Sequence, residues 1–356
     1  MEGTFLLQQE CPFYLIHYRD LRIFVKLQDL TLTMQRLLLV MGALLCAHIS
    51  VFAQETCLSF ELVDTANVNC SACLTLEAPF TQIYETNTYA VTSIDPTLLY
   101  PINVGTAVGV GVDDTWSAVI PLGFDFCFFD QTYSSIVLGS NGILSFNLAN
   151  AGGYNEWNFN QTCPSNQLPV NSIFMPYHDI DPSVCGAVRY QVYGQAPCRK
   201  FVVSYDNVCL FSCTNLQSSS QVVLSEGSNA IQIFIVNKAA CVNWNQGNGL
   251  IGIQNAAGTV GFTPPGRNTG PWSASNEAWQ FNPNGTALGS VAWFEDGVEI
   301  GSGESIEVCP EMSKHYTAEL RYEPCSTLLG GGNCENYQVF VNAGDWPGEV
   351  SWDLVN

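Results

Sequence analysis

SIFMPYHDIDPSVCGAVRYQVYGQAPCRKFVVSY, residues 172–205, is the stretch on which the fold turns. An apolar run (Ile173, Phe174, Met175) enters an acidic turn (His178, Asp179, Asp181, Pro182), and two alternating segments follow, interrupted by Gly194 and Pro197. Alternation with period two, broken by turn formers at this spacing, predicts antiparallel strands, because successive strand side chains point to opposite faces. The segment reads as the centre of an antiparallel β domain.

The flanking text has the same rhythm. Upstream, Phe124, Phe126 and Phe128 alternate with Asp125, Cys127 and Phe129, which predicts a strand with one buried aromatic face. Asn141-Gly142 stands between two apolar runs, a hairpin signal that rests on both residues tolerating positive φ. Downstream, segments 220–226 and 230–236 predict a second hairpin joined through Gly227, Ser228 and Asn229, and 249–254 and 277–281 supply further strands. Residues 154–169 are polar and aromatic, carry Trp157, Cys163 and the sequon Asn160-Gln161-Thr162, and read as a surface excursion. Gly105 to Gly111 lacks the Lys and helix of a phosphate loop and reads as a strand-edge turn.

Composition agrees. The chain has 356 residues, enough for two or three domains, and only 12% are charged while 12% are aromatic, a balance that suits strands and turns. The expected class is all-β: an antiparallel sandwich-like main domain at 89–283 and a small immunoglobulin-like sandwich at 286–343, disulfide-bonded, with Pro283-Asn284-Gly285 as linker. A hairpin across Asp296-Gly297 and strands at 304–309, 315–322 and 336–342 make up the second unit. Residues 344–356 read as the start of a further module and 54–88 as a cysteine-bearing lead. The net charge of -21 opposes phosphate backbones and anionic lipid surfaces, so nucleic acid is excluded as a partner.

Residues 34–53 have the order of a secretory signal: Arg36, an apolar core at 37–47 and Val51-Phe52-Ala53 before the cut. The apolar run of about 11 residues is short of the ~20 that a membrane span needs, so no stable span is expected after cleavage. Residues 1–33 show no usable pattern and are left out of the fold. An exported chain makes Cys57, Cys70, Cys73, Cys127, Cys163, Cys185, Cys198, Cys209, Cys213, Cys241, Cys309, Cys325 and Cys334 disulfide candidates, and their odd number leaves at least one thiol unpaired within the chain. Cys70-Ser71-Ala72-Cys73 has redox or zinc spacing but no second pair, and a structural disulfide is the expectation there.

Several of these pieces resemble one family. The hydrophobic-Pro-aromatic-x-Asp-Ile-Asp turn with Gly186, Val188 and Tyr190, the Asn141-Gly142-Ile143 hairpin, Tyr205-Asp206-Asn207-Val208 and Ser220-Gln221-Val222-Val223-Leu224 occur in the order found in the nidogen-like extracellular (NIDO) domain. His178 and Tyr205 stand where that family more often has a small residue and Trp. The resemblance implies a matrix or adhesion module rather than an enzyme. Residues 308–325 resemble the end of an Ig-like or PKD-like module, and the Cys-rich wording resembles large secreted Bacteroidota proteins with gliding-motility-associated C-terminal domains.

The expected function is therefore a secreted or cell-surface adhesion or interaction module that binds extracellular proteins or glycans. The alternative is a non-catalytic part of a secreted hydrolase whose enzymatic domain lies beyond Asn356. Exposed aromatics at 154–157 and 244–272 are candidates to stack on sugars. No catalytic residue is expected: His178 and His315 fall in different units, which disfavours a triad, and nucleophile-elbow and metalloprotease motifs are missing from the sequence. No cofactor is expected either. Asp179 and Asp181 are the weak calcium candidates, but two local carboxylates fall short of the oxygen shell that calcium takes, and the Asp-Pro turn reads first as structural.

Overall fold

The computed structural model describes residues 2–6, 73–309 and 315–322. The predicted signal at 34–53, Cys57, Cys70, Cys325, Cys334, the expected strand at 336–342 and residues 344–356 lie outside the described residues. No helix among the described residues is long and apolar enough to cross a membrane.

The structure is all-β, and its main domain is a sandwich of two antiparallel sheets. One eight-stranded sheet runs Tyr89–Ser93, Ala274–Pro283, Ile231–Lys238, Gln217–Ser225, Lys200–Leu210, Ala187–Tyr193, Thr106–Ala107, with Ile180–Asp181 paired to the end of Lys200–Leu210. The seven-stranded sheet runs Gly261–Phe262, Asn248–Gln254, Ser172–Tyr177, Ile143–Ser145, Gln131–Gly139, Ile120–Phe128, with Asn268–Pro271 on Asn248–Gln254. Residues 172–205 thus contribute strands to both sheets, which is why their pattern carries the architecture.

Alternation puts the core between the sheets. Along Ile120–Phe128, Leu122, Phe124, Phe126 and Phe128 are buried while Pro121, Gly123 and Asp125 are exposed. They meet Phe201, Val203, Val222, Leu224, Ile231 and Ile233 of the facing sheet in one apolar cluster. Each such side chain contributes roughly 1.5–3 kcal/mol when fully buried. Tyr205 crosses this layer, and its hydroxyl donates to the Gly139 carbonyl of the other sheet.

The outer faces are covered as well, so some strands do not alternate. Ser172–Tyr177 and Asn248–Gln254 are buried at every position. Residues 154–169 account for this on the seven-stranded sheet and correct their reading as a surface excursion. Phe159, Cys163 and Leu168 pack with Phe174, Tyr177 and Leu250 in a second cluster. The segment contains no strand, so side-chain amides satisfy its backbone. Gln254 donates to the carbonyls of Ser165 and Pro169, and Asn248 and Asn268 donate to those of Phe159 and Cys163. Asn160 of the sequon remains exposed. On the opposite face, Ile94, Leu98 and Tyr100 pack over Val202, Val223 and Phe234.

The hairpin at Asn141-Gly142 forms, with a difference. Gly139 pairs with Ile143, so the loop has Ser140, Asn141 and Gly142, and of these only Gly142 has positive φ, 76°. A Cβ on Gly142 would overlap the Pro176 carbonyl oxygen, so glycine is required for close approach as well as for φ. Asn141 is kept by its side-chain bonds instead. The second hairpin forms as expected, with Leu224 opposite Ile231.

The smaller unit has a composition that its own sequence does not suggest. Gly289–Glu295 pairs with Val298–Ser302 and His315–Tyr322, while Ser305–Val308 pairs with Leu74–Glu77 from the lead. Leu76 and Ala78 share its core with Val291, Trp293, Val308, Tyr316 and Ala318, and Cys73 is bonded to Cys309. The lead is therefore a strand of the small module, and Cys73 makes a structural disulfide across it rather than with Cys70. Glu2–Leu6, in the stretch left out of the fold by the sequence pattern, lies antiparallel to His315–Tyr322.

Candidate acidic site at the loop end of the sandwich

Five loops, around residues 113–117, 140–142, 154–157, 178–183 and 241–247, meet at one site. Asn141 ties three of them together. Its N–H donates to Asn155 Oδ1 (3.0 Å), its Nδ2 to Asp114 Oδ1 (2.9 Å), and its Oδ1 accepts from the Ile180 N–H (3.2 Å). Its carbonyl accepts from the His178 N–H at 3.2 Å. Thr115 and Ser140 bind each other reciprocally, Thr115 N–H to Ser140 Oγ and Ser140 N–H to Thr115 O. Two disulfides, Cys185–Cys209 and Cys213–Cys241, staple the neighbouring loops to the sheet.

This arrangement brings Asp113, Asp114 and Asp179 together. One oxygen from each carboxylate lies within 4.8 Å of the others. Asp179 is 8% exposed; Trp244 Nε1 donates to its Oδ2 at 2.6 Å, and its Oδ1 has no hydrogen-bond partner. Asp113 Oδ1 is also buried without a partner. None of the three joins an ion pair among the described residues. At an effective dielectric near 20, two ionised carboxylates at this spacing repel by roughly 3.5 kcal/mol. Burial, with the neighbouring carboxylates adding to it, pushes Asp179 up to about 7 and Asp113 up to about 6. Burial also raises Asp114, against the Asn141 hydrogen bond.

The two sequence candidates separate here. Asp181 closes its own turn: its Oδ1 accepts from the Ser183 N–H (2.8 Å) and hydroxyl (2.5 Å), the structural role expected of an Asp-Pro turn. Asp179 points into the cluster with Asp113 and Asp114. His178 is buried, bonded through Nδ1 to Pro176 O, and held neutral by desolvation, which lowers it well below the usual imidazole range. Its Nε2 has no partner, and His178 lines a cavity of about 10 Å³ with Lys238, Trp244 and Asn248, room for about one water. Lys238 donates to the carbonyls of Ala239 and Trp272, lies 4.4 Å over the Trp272 ring, and is lowered to about 7 by burial and by Arg267.

Of the aromatics considered for sugar stacking, Trp272 is core, with its indole donating to Gly249 O. Trp157 and Trp244 stack on each other at 5.3 Å, and Tyr154 is 59% exposed. Cys127 and Cys198 are also disulfide-bonded. Cys163 corrects its place among the disulfide candidates: it is a free, buried thiol, pushed up to about 12 by desolvation. Asp113, Asp114 and Lys238 are the site residues not picked out from sequence, while Asn141 was read there only as a hairpin residue and Trp244 only as a sugar-stacking aromatic. The adjacent pair Asp113-Asp114 was the visible signal, but nothing local places it beside a turn 65 residues downstream.

Gly186 has φ 83°, and a Cβ there would lie 2.5 Å from the Asn207 carbonyl carbon and oxygen, so the turn accepts no larger residue. No curated protein and no solved structure matches the chain. A family model described as "NIDO related" matches residues 84–293, more than half of the chain, covering the sandwich described above and reaching into the strand Gly289–Glu295 of the smaller unit. The chain belongs to the NIDO-related family.

Proposed function

We propose that the chain is an adhesion or interaction module of an exported, multidomain extracellular protein, binding proteins or glycans and catalysing nothing itself. The observation that carries this reading is the nidogen-related sandwich whose loop end, stapled by Cys185–Cys209 and Cys213–Cys241, presents Tyr154 beside the acidic cluster. Disulfide-bonded cysteines fit an oxidising compartment, and the signal-like segment 34–53 supplies the route to it. The smaller module is read as an Ig-like or PKD-like spacer, as in Bacteroidota surface proteins with gliding-motility-associated C-terminal domains. Surface-immobilised, disulfide-intact chain should bind at least one member of a panel of extracellular-matrix proteins and polysaccharides in biolayer interferometry. Tyr154→Ala should weaken that binding. Turnover of a bound polymer by the purified chain would sink the reading, as would the lack of any partner across the panel.

A further inference from the structure

We propose that Asp113, Asp114 and Asp179 form a binding site for one hard divalent cation of the calcium type. The three carboxylates converge within 4.8 Å from two separate loops. The cluster alone would not suffice; the second observation is Asp179 itself. It is more than nine-tenths buried, and its Oδ1 lies without a partner, although buried carboxylate oxygens are almost always hydrogen-bonded. Trp244 holds the other oxygen, Oδ2, so the carboxylate cannot turn away to water. Asp113 leaves a second buried oxygen unpaired, and among the described residues no Lys or Arg pairs with any of the three. A cation among them supplies both the missing charge and the missing partners.

The donor set chooses the class. Carboxylate oxygens suit calcium, magnesium and manganese, and no Cys or His belongs to the group, which argues against zinc or copper. Magnesium keeps most of its waters and takes one or two carboxylates, whereas calcium accepts several carboxylates in an irregular shell. Asp181 is outside the site because Ser183 occupies its Oδ1. The ion would lock the 113–117 loop to the 178–183 turn at the end of the sandwich. This inference stands whether or not that end binds a partner.

The test uses the full disulfide-intact chain, stripped with chelator and titrated with CaCl₂ and MgCl₂ in a calorimeter, with melting temperature followed in parallel. Calcium should bind at one saturable site and raise the melting temperature, with magnesium weaker. Asp113→Asn and Asp179→Asn should each lose at least about tenfold in calcium affinity, because affinity follows the ligand charge count, while Asp181→Asn should keep it. Terbium gives an independent readout: with Trp244 hydrogen-bonded to a ligand, terbium luminescence should be sensitised through tryptophan, fall in Trp244→Phe and be competed away by calcium. Asp113→Asn serves if Asp179→Asn does not fold, since Asp113 is partly exposed and its Oδ1 makes no bond. No saturable calcium binding to the wild type up to millimolar concentration would overturn the site. So would binding that survives Asp113→Asn, or magnesium binding as tightly as calcium.

Discussion

Replacing Cys73 and Cys309 together by Ser tests how the lead and the small module are joined. Both residues are exposed, so the change removes the crosslink with little loss of packing. The bond spans 236 residues, and closing a loop of that length in a fully unfolded chain is worth about 5.5 kcal/mol in the chain-entropy model. That is not the relevant loop if the main sandwich stays folded. Tyr89 lies opposite Pro283 on neighbouring strands, so the sandwich already holds the two exits together and the bond closes only about 40 residues. The same formula then gives about 4 kcal/mol for opening of the small module alone. In the double Ser variant, amide exchange across Gly289–Glu295 and Ser305–Val308 should quicken by about a thousandfold, since each 1.4 kcal/mol is a factor of ten. Amides of Gln217–Ser225 and Ile231–Lys238, in the middle of the large sheet, should keep their protection. Unchanged exchange in the small module, or equal loss of protection in both units, would refute the argument that the lead completes a module opening by itself.

Four further outcomes are expected. Lys238 is held near 7 when folded against ~10.4 when unfolded, so the unfolded chain binds the extra proton between those values and stability should rise with pH from about 7 to about 10. Lys238→Met should lack that rise; superimposable stability–pH curves for the two proteins would disprove it. Tyr205→Phe removes a buried link between the sheets and leaves the Gly139 carbonyl one partner short, a loss of about 1–3 kcal/mol readable in urea unfolding. Gly142→Ala combines positive φ with overlap on Pro176 and should cost more than about 2 kcal/mol, with Asn141→Ala as a comparison that keeps the turn but frees Asp114. Cys163 should resist iodoacetamide in the native chain and react only after unfolding, as read by peptide mass spectrometry; native labelling would contradict its burial.

Which parts were legible follows from the range of the interactions involved. Strand alternation is local, so Phe124, Phe126 and Phe128 declare their buried face within a few residues, and Gly227 and Asn229 mark their turn directly. The 154–169 segment misleads for the same reason. Its polar residues look solvated, but its backbone is satisfied by Gln254, Asn248 and Asn268, about 90 to 105 residues away, and its few apolar residues find a sheet face that only the tertiary fold supplies. The lead fails to declare itself because Leu74–Glu77 finds its partner across the whole main domain. The acidic site lies between these cases. Asp179 was visible within its turn, yet the burial that raises it and the neighbouring charges of Asp113 and Asp114 that add to it come from the tertiary fold, and Asn141 ties the loops together. That residue satisfies a hairpin rule on sequence and would be explained fully by it, but its φ is not positive and its amide bonds run to Asp114, Asn155 and Ile180. A side chain that fits a local rule for the wrong reason is the place where a long-range role is hidden, and here it is the contact on which the site's geometry depends.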